Sequence, residues 1–360
     1  MAGYSGRYTE TGEPMAQVTA LVTEQGGGVR SIRVPIPNSP LGYTLVHVVD
    51  TDRGPVLIDA GWDDPASWDA LVAGLAACGT SVAEVYGAVI THHHPDHHGL
   101  SDKVREASGG WIAMHAADID IVRRARQFPP DRWFTHMTAK LTAAGAPEEH
   151  VGFLRAQYGR GGPVGLSPAL PDREVVPGEL LDLPGRRLRA IWTPGHTPGH
   201  VCLHLEEEHP AQLPGHGRLF SGDHLLPGIT PHVGLYEDPD DPGTADPLGD
   251  FLDSLERIGR LSPAEVLPAH RHTFANAPAR VRELLTHHED RLRDLLALLT
   301  TPLTLWQLAE RMEWNRPWDQ IPYQSRNIAV AEAEAHVRRL VKLGRAEGVA
   351  GSEPGVFVAV

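Results

Sequence analysis

Thr91-His92-His93-His94-Pro95-Asp96-His97-His98-Gly99 places five imidazoles and one carboxylate in a single turn. It follows an apolar run at 86–90 that reads as a strand. No apolar packing scheme accounts for rings at that density. A turn at the C-terminal end of a strand lets alternate residues converge, and Pro95 is expected to prevent a helix from continuing through it. His92 and His94 can then face one ion while Asp96 and His97 reach another. Imidazole and carboxylate without thiolate suit Zn2+, Fe or Mn2+, with Zn–N contacts of about 2.0–2.1 Å. His93 and His98 fall on the other side, toward solvent or supporting hydrogen bonds.

Three later segments put further polar residues at strand ends. His196 stands in Thr193-Pro194-Gly195-His196-Thr197-Pro198-Gly199-His200, Asp223 in Phe220-Ser221-Gly222-Asp223-His224, and His270 in Leu267-Pro268-Ala269-His270. Loops of this kind carry functional groups on a rigid scaffold at little structural cost. The histidine count shows the same concentration: of 21 in 360 residues, ten lie within 92–98, 196–204 and 270–272.

Short β-branched runs separated by Gly, Asn, Asp and Pro mark strands at 17–24, 31–37, 44–49 and 56–59. A helix over 64–78, capped near Asp63 or Asp64, leads to the strand at 86–90, after which strands and helices alternate. A helix at 98–107 and a strand at 111–115 precede a polar, helix-forming stretch, 118–158, broken by Pro129, Pro130, Gly145 and Pro147 and placed like an insertion over a site. Beyond a Gly/Pro-rich connector at 159–171, strands are expected at 174–176, 187–192, 200–205, 218–221 and 265–267, with a helix over 246–258. Strands first, then strand and helix alternating twice over, predict two sheets covered by helices. From 279 the pattern is helix, helix, helix and a small β-ribbon, a winged-helix-like order. Residues 1–16 read as a flexible tail, 17–284 as the main domain and 285–360 as a terminal helical domain.

The motif His92-x-His94-x-Asp96-His97, with His196, Asp223 and His270, resembles the metallo-β-lactamase superfamily over residues 17–275. The resemblance implies an α+β fold, an αββα sandwich with a two-metal centre at one edge. It implies that His92, His94 and His196 hold one ion, Asp96, His97 and His270 the other, and that Asp223 bridges them. Asp59, in Leu57-Ile58-Asp59-Ala60-Gly61, matches the family position that supports the ligands from behind, and a short carboxylate leaving a strand is a sound imidazole-orienting group in its own right. His200 and His224 are candidates for the same supporting role. His232 and Tyr236, just downstream of Asp223, are candidates for contact with substrate. Two divalent ions about 3.5–4 Å apart lower the pKa of a shared water and polarise an acyl or phosphoryl oxygen. Hydrolysis is the expected outcome, with Asp96 orienting the nucleophile or relaying its proton while remaining a ligand.

Within the superfamily, lactam-cleaving members generally have Cys or Ser where Asp223 stands, so the full ligand set points away from a dedicated β-lactamase. It is more similar to glyoxalase-II-type thioesterases, lactonases and nucleases. The doubled Thr-Pro-Gly-His and the tail resemble the thioesterase-like, winged-helix-tailed branch, which also includes ribonucleases. Charge chooses between the two chemistries. With 32 Lys and Arg against 46 Asp and Glu, the net charge is −14 and the field repels polyanions. Arg123, Arg124, Arg126 and Arg132, like Arg338, Arg339, Lys342 and Arg345, read as solvated helix faces rather than phosphate-binding stripes. The expectation is a hydrolase of a small-molecule acyl thioester, or of an ester or lactone, holding two divalent ions, Zn2+ ahead of Fe or Mn. A metal-dependent ribonuclease is the alternative; a persulfide-oxidising iron dioxygenase and a β-lactamase rank behind it.

Only Cys78 and Cys202 are available for thiol chemistry, which fits a reducing compartment, and no run approaches about 18 apolar residues. A cytoplasmic chain without membrane association is expected. A winged-helix-like shape serves dimerisation as readily as nucleic-acid binding, so a homodimer is one expectation for the tail. Cys202 lies mid-strand and should pack within a sheet. Trp306, Trp314 and Trp318 should cement the tail helices, whereas His287, His288 and His336 read as their surface residues. His272 is expected to cap a segment at 273–279. Trp133, Phe134 and Phe128 read either as an apolar lid or as packing.

Overall fold

The computed structural model describes residues 21–127, 130–158, 169–209, 211–234 and 245–360. The tail at 1–16, Phe128 and Tyr236 lie outside the described residues. Strands β1 (Val22–Gly26), β2 (Val29–Pro35), β3 (Tyr43–Val49) and β4 (Val56–Ile58) pair antiparallel in chain order. Helix α1 (Pro65–Ala77) crosses to β5 (Gly87–Val89), which lies parallel to β4. Asp64 starts α1, its side chain accepting from the Ala66 amide at 2.9 Å, and Pro65 occupies the first turn, where no N–H is required.

Helices α2 (Pro95–His98) and α3 (Ser101–Ser108) lead to β6 (Trp111–Met114). Helices α4 (Ala116–Gln127), α5 (Pro130–Ala143) and α6 (Glu148–Tyr158) precede β7 (Arg173–Glu174), which completes a seven-stranded sheet ordered as in the chain. The second sheet is formed by β8 (Leu188–Trp192), β9 (Val201–Leu205), β10 (Arg218–Gly222) and β11 (Glu265–Pro268), in the order β11-β10-β9-β8. Helix α7 (Pro247–Leu261) is the crossover that makes β10 and β11 parallel.

The period of two along each strand decides the layers. Val56 and Ile58 enter one apolar cluster with Leu203, Leu205, Phe220 and Leu267, which fills the space between the two sheets. Leu57, between them in sequence, joins Ile32, Val34, Leu71, Leu75, Leu100 and Val104 under the helices of the first sheet. Cys202, Leu219 and Val266 point the opposite way from Phe220, toward α7. The architecture is therefore helix, sheet, sheet, helix, as expected. Full burial of each such aliphatic side chain contributes about 1.5–3 kcal/mol.

The tail continues the outer layer of the second sheet. Its elements are α8 (Ala277–Leu298), β12 (Leu303–Thr304), α9 (Leu305–Arg311), α10 (Tyr323–Lys342), β13 (Ala346–Gly348) and β14 (Val356–Ala359), the strands forming a ribbon ordered β12-β14-β13. Leu284, Leu295, Leu308, Val337 and Leu340 share one cluster with Phe251, Leu255 and Ile258 of α7 and with Leu141, Val151 and Leu154 of α5 and α6. The segment at 118–158 thus packs onto the tail, with the Trp306 amide donating to Ala144 O at 2.9 Å. Residue 285, where the sequence suggests a new domain, falls inside the single helix α8.

Several local expectations need correction. Pro95 keeps a helix from running through it but itself opens α2 at the first helical position, where its missing N–H costs nothing. Helix α10 starts at Tyr323 behind Pro322, earlier than the apolar spacing from 329 suggests, because its first turns are polar. His288 and His336 are not surface residues but are buried at 1% and 0% exposure. His288 continues the stripe Val281, Leu284, Leu292, Leu295, and His336 lies between Ala333 and Leu340 on the matching face of α10. Exposed His272 does not cap α8; Asn276 does, accepting from the Ala279 amide.

Candidate metal centre

The seven expected ligand positions come together where four loops leave the sandwich. The loop after β5 brings His92, His94, Asp96 and His97, that after β8 brings His196, that after β10 brings Asp223, and that after β11 brings His270. Three overlapping groups have donor atoms within 4.8 Å of one another: His92, His94, His196; His92, His97, Asp223; and Asp96, His97, His270.

In the first group, His92 Nε2 lies 2.9 Å from His94 Nδ1 and 3.2 Å from His196 Nε2, and His94 Nδ1 lies 3.1 Å from His196 Nε2. A tetrahedral ion with contacts of about 2.0–2.1 Å needs ligand atoms about 3.3 Å apart, so the triangle is close to the size required. The outer ring nitrogens say which lone pairs face the centre. His97 donates Nδ1–H to Asp59 Oδ2 at 2.8 Å, His196 donates to the His232 carbonyl at 2.7 Å, and His270 donates to the Tyr43 carbonyl at 3.0 Å. The Thr91 hydroxyl is directed to Asp59, so its oxygen accepts from His92 Nδ1 at 3.1 Å. In all four rings Nε2 is left as a lone pair aimed inward.

Across the other two groups, His97 Nε2, His270 Nε2 and Asp223 Oδ1 are all buried and without a hydrogen-bond partner. Buried orphaned polar atoms cost about 1–3 kcal/mol each, and here they converge on one point that a divalent cation would satisfy. The electrostatics agree. Burial, followed by neighbouring imidazoles, holds His92 and His94 well below the ordinary histidine range, so both rings are neutral, the form a metal would require. Burial acts the same way on His97 and His270, but carboxylates outweigh it. Asp96, Asp223 and Asp59 raise His97 well above its usual value, and Asp223 with Asp96 raises His270 to about 10. This half of the centre lacks positive charge, which a divalent ion supplies in place of protons.

The supporting residues follow from local backbone. Asp59 holds φ at 63°, a left-handed conformation that aspartate tolerates better than most residues. From there its carboxylate takes the Thr91 amide at 2.8 Å as well as His97. Gly222 precedes Asp223 at φ 49°, and a Cβ there would meet His200 Nε2 at 2.7 Å and Thr91 Oγ1 at 2.9 Å. His200 donates to Thr193 Oγ1 at 2.8 Å and accepts the Asp223 amide at 3.2 Å, fixing the backbone of that ligand. His224 turns its ring edge-on to Phe251, 5.0 Å away, and burial lowers it to about 3. His232 meets the centre through its carbonyl; its half-buried ring faces Glu332 of α10 at 3.6 Å.

Sequence reasoning missed several supports. Strand β3 grips the His270 loop, with the Leu45 amide donating to Ala269 O at 2.6 Å and His47 Nε2 donating to Pro268 O at 3.2 Å. Arg280 of α8 donates to Leu226 O and Ile229 O at 2.8 and 2.7 Å, tying down the loop after Asp223. Asp118, fully buried, joins His93 to Thr197 and Gly199. A lone acid in the first turn of a helix reads as an ordinary helix-start residue, so nothing local marks it. His98, rather than facing solvent, is buried and donates to Ala169 O at 2.8 Å.

Residues 39–270 match the Metallo-beta-lactamase superfamily. The chain belongs to this superfamily. Its members are metal-dependent hydrolases, and the mixed α and β fold described above is theirs. The chain is 26% identical over 257 residues to the Lactamase-like protein adaB of Aspergillus niger, covering 71% of this chain and 58% of that one. It therefore spans little more than half the length of that curated relative. It is 25% identical over 287 residues to the "Probable metallo-hydrolase YqjP" of Bacillus subtilis, covering 79% and 84% of the two chains. Among solved structures, the metallo-beta-lactamase family protein TTHA1429 of Thermus thermophilus is 30% identical with a TM-score of 0.74, covering 92% of this chain and 99% of its own. That likeness reaches past residue 270 into the tail. No helix among the described residues is long and apolar enough to cross a membrane.

Proposed function

We propose that this superfamily member is a dinuclear hydrolase of a small-molecule acyl thioester, with esters and lactones next in order. The observation that carries the dinuclear reading is Asp223. Its Oδ1 lies 3.2 Å from His270 Nε2 and 3.5 Å from His97 Nε2, while Oδ2 lies 3.5 Å from His196 Nε2. One carboxylate faces both groups, as a bridging ligand must. His92, His94 and His196 would hold one ion and Asp96, His97 and His270 the other. Imidazole and carboxylate donors suit Zn2+ and also admit Fe or Mn. Two such ions supply a water of lowered pKa and polarise an acyl oxygen.

The rest falls to the side chains. His92, His97 and His270 are sealed, whereas His94 and Asp96 are partly open, so substrate approaches past those two. Asp96 keeps 16% of its side chain exposed, 3.3 Å from His270 Nε2. A carboxylate there orients the attacking water, holds its proton and returns it to the departing sulfur. Aspartate at 223, where lactam-cleaving relatives generally carry Cys or Ser, supports a substrate other than a lactam.

Charge supports a small substrate over RNA. Arg123 pairs with Asp120, Arg338 with Glu334 at 2.8 Å and Arg339 with Asp246 at 2.8 Å, so both candidate basic stripes are partly neutralised. The deciding experiment loads the protein with Zn2+, Mn2+ or Fe2+ and assays acyl-CoA and acyl-glutathione thioesters beside labelled single-stranded RNA. Thioester turnover that disappears in Asp223→Ala is expected. RNA cleavage abolished by the same substitution, with no thioester turnover, would replace this reading by the ribonuclease.

A further inference from the structure

We propose that Asp118 is a positioning residue that sets the spacing of the His92, His94, His196 group. The proposal rests on the metal-centre reading above. Asp118 lies in the first turn of α4, and its carboxylate is fully buried. Oδ2 accepts from the His93 amide at 2.8 Å, from His93 Nδ1 at 2.9 Å and from Thr197 Oγ1 at 2.8 Å. Oδ1 accepts from the Gly199 amide at 2.6 Å. Gly199 allows this approach, because a Cβ there would stand 2.5 Å from the Asp118 amide nitrogen and 2.6 Å from Oδ1.

The two loops that meet on this carboxylate carry the whole first group. His93 lies between His92 and His94, and Thr197 directly follows His196. The loops are about a hundred residues apart in the chain, so their relative position is a tertiary choice. A buried carboxylate is expensive unless it is well hydrogen-bonded, and here three donors meet Oδ2 and one meets Oδ1. They also keep it ionised: burial pushes Asp118 up, but His93 and the donated hydrogen bonds hold it at about 2. Neutral imidazoles cannot draw together unaided, since burial and mutual repulsion oppose any charge on them. Asp118 supplies the fixed point that holds their lone pairs at ligating distance before an ion arrives. The other group does not depend on it, being braced by Asp59 behind His97 and by the Tyr43 carbonyl behind His270.

Loss of a group that orients ligands from behind weakens metal binding by about 10- to 100-fold. The test compares wild type, Asp118→Asn and Thr197→Val by Zn2+ competition against a chromophoric chelator, with ion content measured by elemental analysis. His196→Ala and His270→Ala controls assign each affinity to its group. Melting of the metal-free proteins reports folding. In Asp118→Asn the His196-dependent ion should bind about 10- to 100-fold more weakly while the His270-dependent ion is unchanged. Thr197→Val should give a smaller loss in the same ion. If Asp118→Asn does not fold, Thr197→Val decides alone. Unchanged affinities, or equal weakening of both ions, overturn the assignment. A wild type that takes up fewer than two ions overturns the dinuclear reading instead.

Discussion

Among the described residues, the candidate metal centre and a pair in the tail each pack buried histidines against one another, and the two differ in how their nitrogens are used. In the metal centre, the outer nitrogens of His92, His97, His196 and His270 are each committed to a hydrogen bond, and their inner nitrogens converge beside Asp96 and Asp223. In the tail, His336 donates Nδ1–H to the Glu332 carbonyl at 2.8 Å, and its Nε2 accepts from His288 Nδ1 at 3.1 Å. One ring uses up the lone pair of the other. The nearby Glu332 carboxylate is directed to Arg291 at 3.4 Å and His232 at 3.6 Å rather than to the ring pair. The lesson is that convergence of lone pairs with carboxylates, not density of imidazoles, makes a metal site.

The strongest way to break that contrast is at its shared carboxylate. Asp223→Ala removes a donor from both groups, and activity should fall by at least ~10³-fold, since the ions contribute several kcal/mol to catalysis at about 1.4 kcal/mol per decade. Elemental analysis of the same sample should show ion content well below wild type. His270→Ala is narrower: one ion should be lost and one kept, with activity down by roughly 10²-fold or more on the same arithmetic. A wild type that retains a single ion after reconstitution, with His270→Ala neutral, would contradict the two-group description. The tail pair should respond in stability instead. His288→Leu leaves the buried His336 Nε2 without a donor but also removes the unpartnered His288 Nε2, so the two partly offset and unfolding free energy should drop by about 1 kcal/mol with both ions retained. Denaturant melts of the metal-loaded proteins measure it, and loss of an ion would show that the tail cluster reaches into the centre.

How much of this was legible before folding differs between the two regions for a physical reason. The candidate ligands lie in short motifs at strand ends, where spacing along the chain fixes spacing in three dimensions, so His92, His94, Asp96 and His97 could be read together. The order of elements, strands first and then strand and helix alternating, exposed the two helix-covered sheets, whereas the opposite faces taken by Val56 and Leu57 show only in the fold. Asp118 and the β3 contacts to the His270 loop were not legible, because they join segments far apart through single residues with no pattern of their own. His288 is a different case. It sits at helical spacing with Val281, Leu284, Leu292 and Leu295, so its burial was written in the sequence, and only the habit of reading tail histidines as exposed concealed it. Pro95 marked where a helix could not continue but not that the next one starts there, since proline stops a helix from within yet suits its first position.

The last test asks whether the tail pair is as silent toward charge as its burial implies. Burial, reinforced by the other ring, lowers His288 to about 3, and burial lowers His336 to about 4, against an ordinary value near 6.5. The unfolded chain therefore binds protons on these rings at pH values where the folded chain does not. Stability rises with pH wherever the unfolded state holds more protons, so it should fall as pH drops below about 6.5 and keep falling toward 4 and 3. Between pH 7.5 and 5.5 each ring should cost about 1.4 kcal/mol. Replacing both partners of a buried hydrogen bond by apolar groups is close to neutral, so the double variant His288→Leu, His336→Leu should match wild type at pH 7.5. At pH 5.5 it should be the more stable of the two, by about 2–3 kcal/mol. The metal-centre histidines are common to both proteins and cancel in the difference. Parallel loss of stability in the two proteins would mean that the tail rings already carry charge when folded, and that the contrast between the clusters lies in geometry alone.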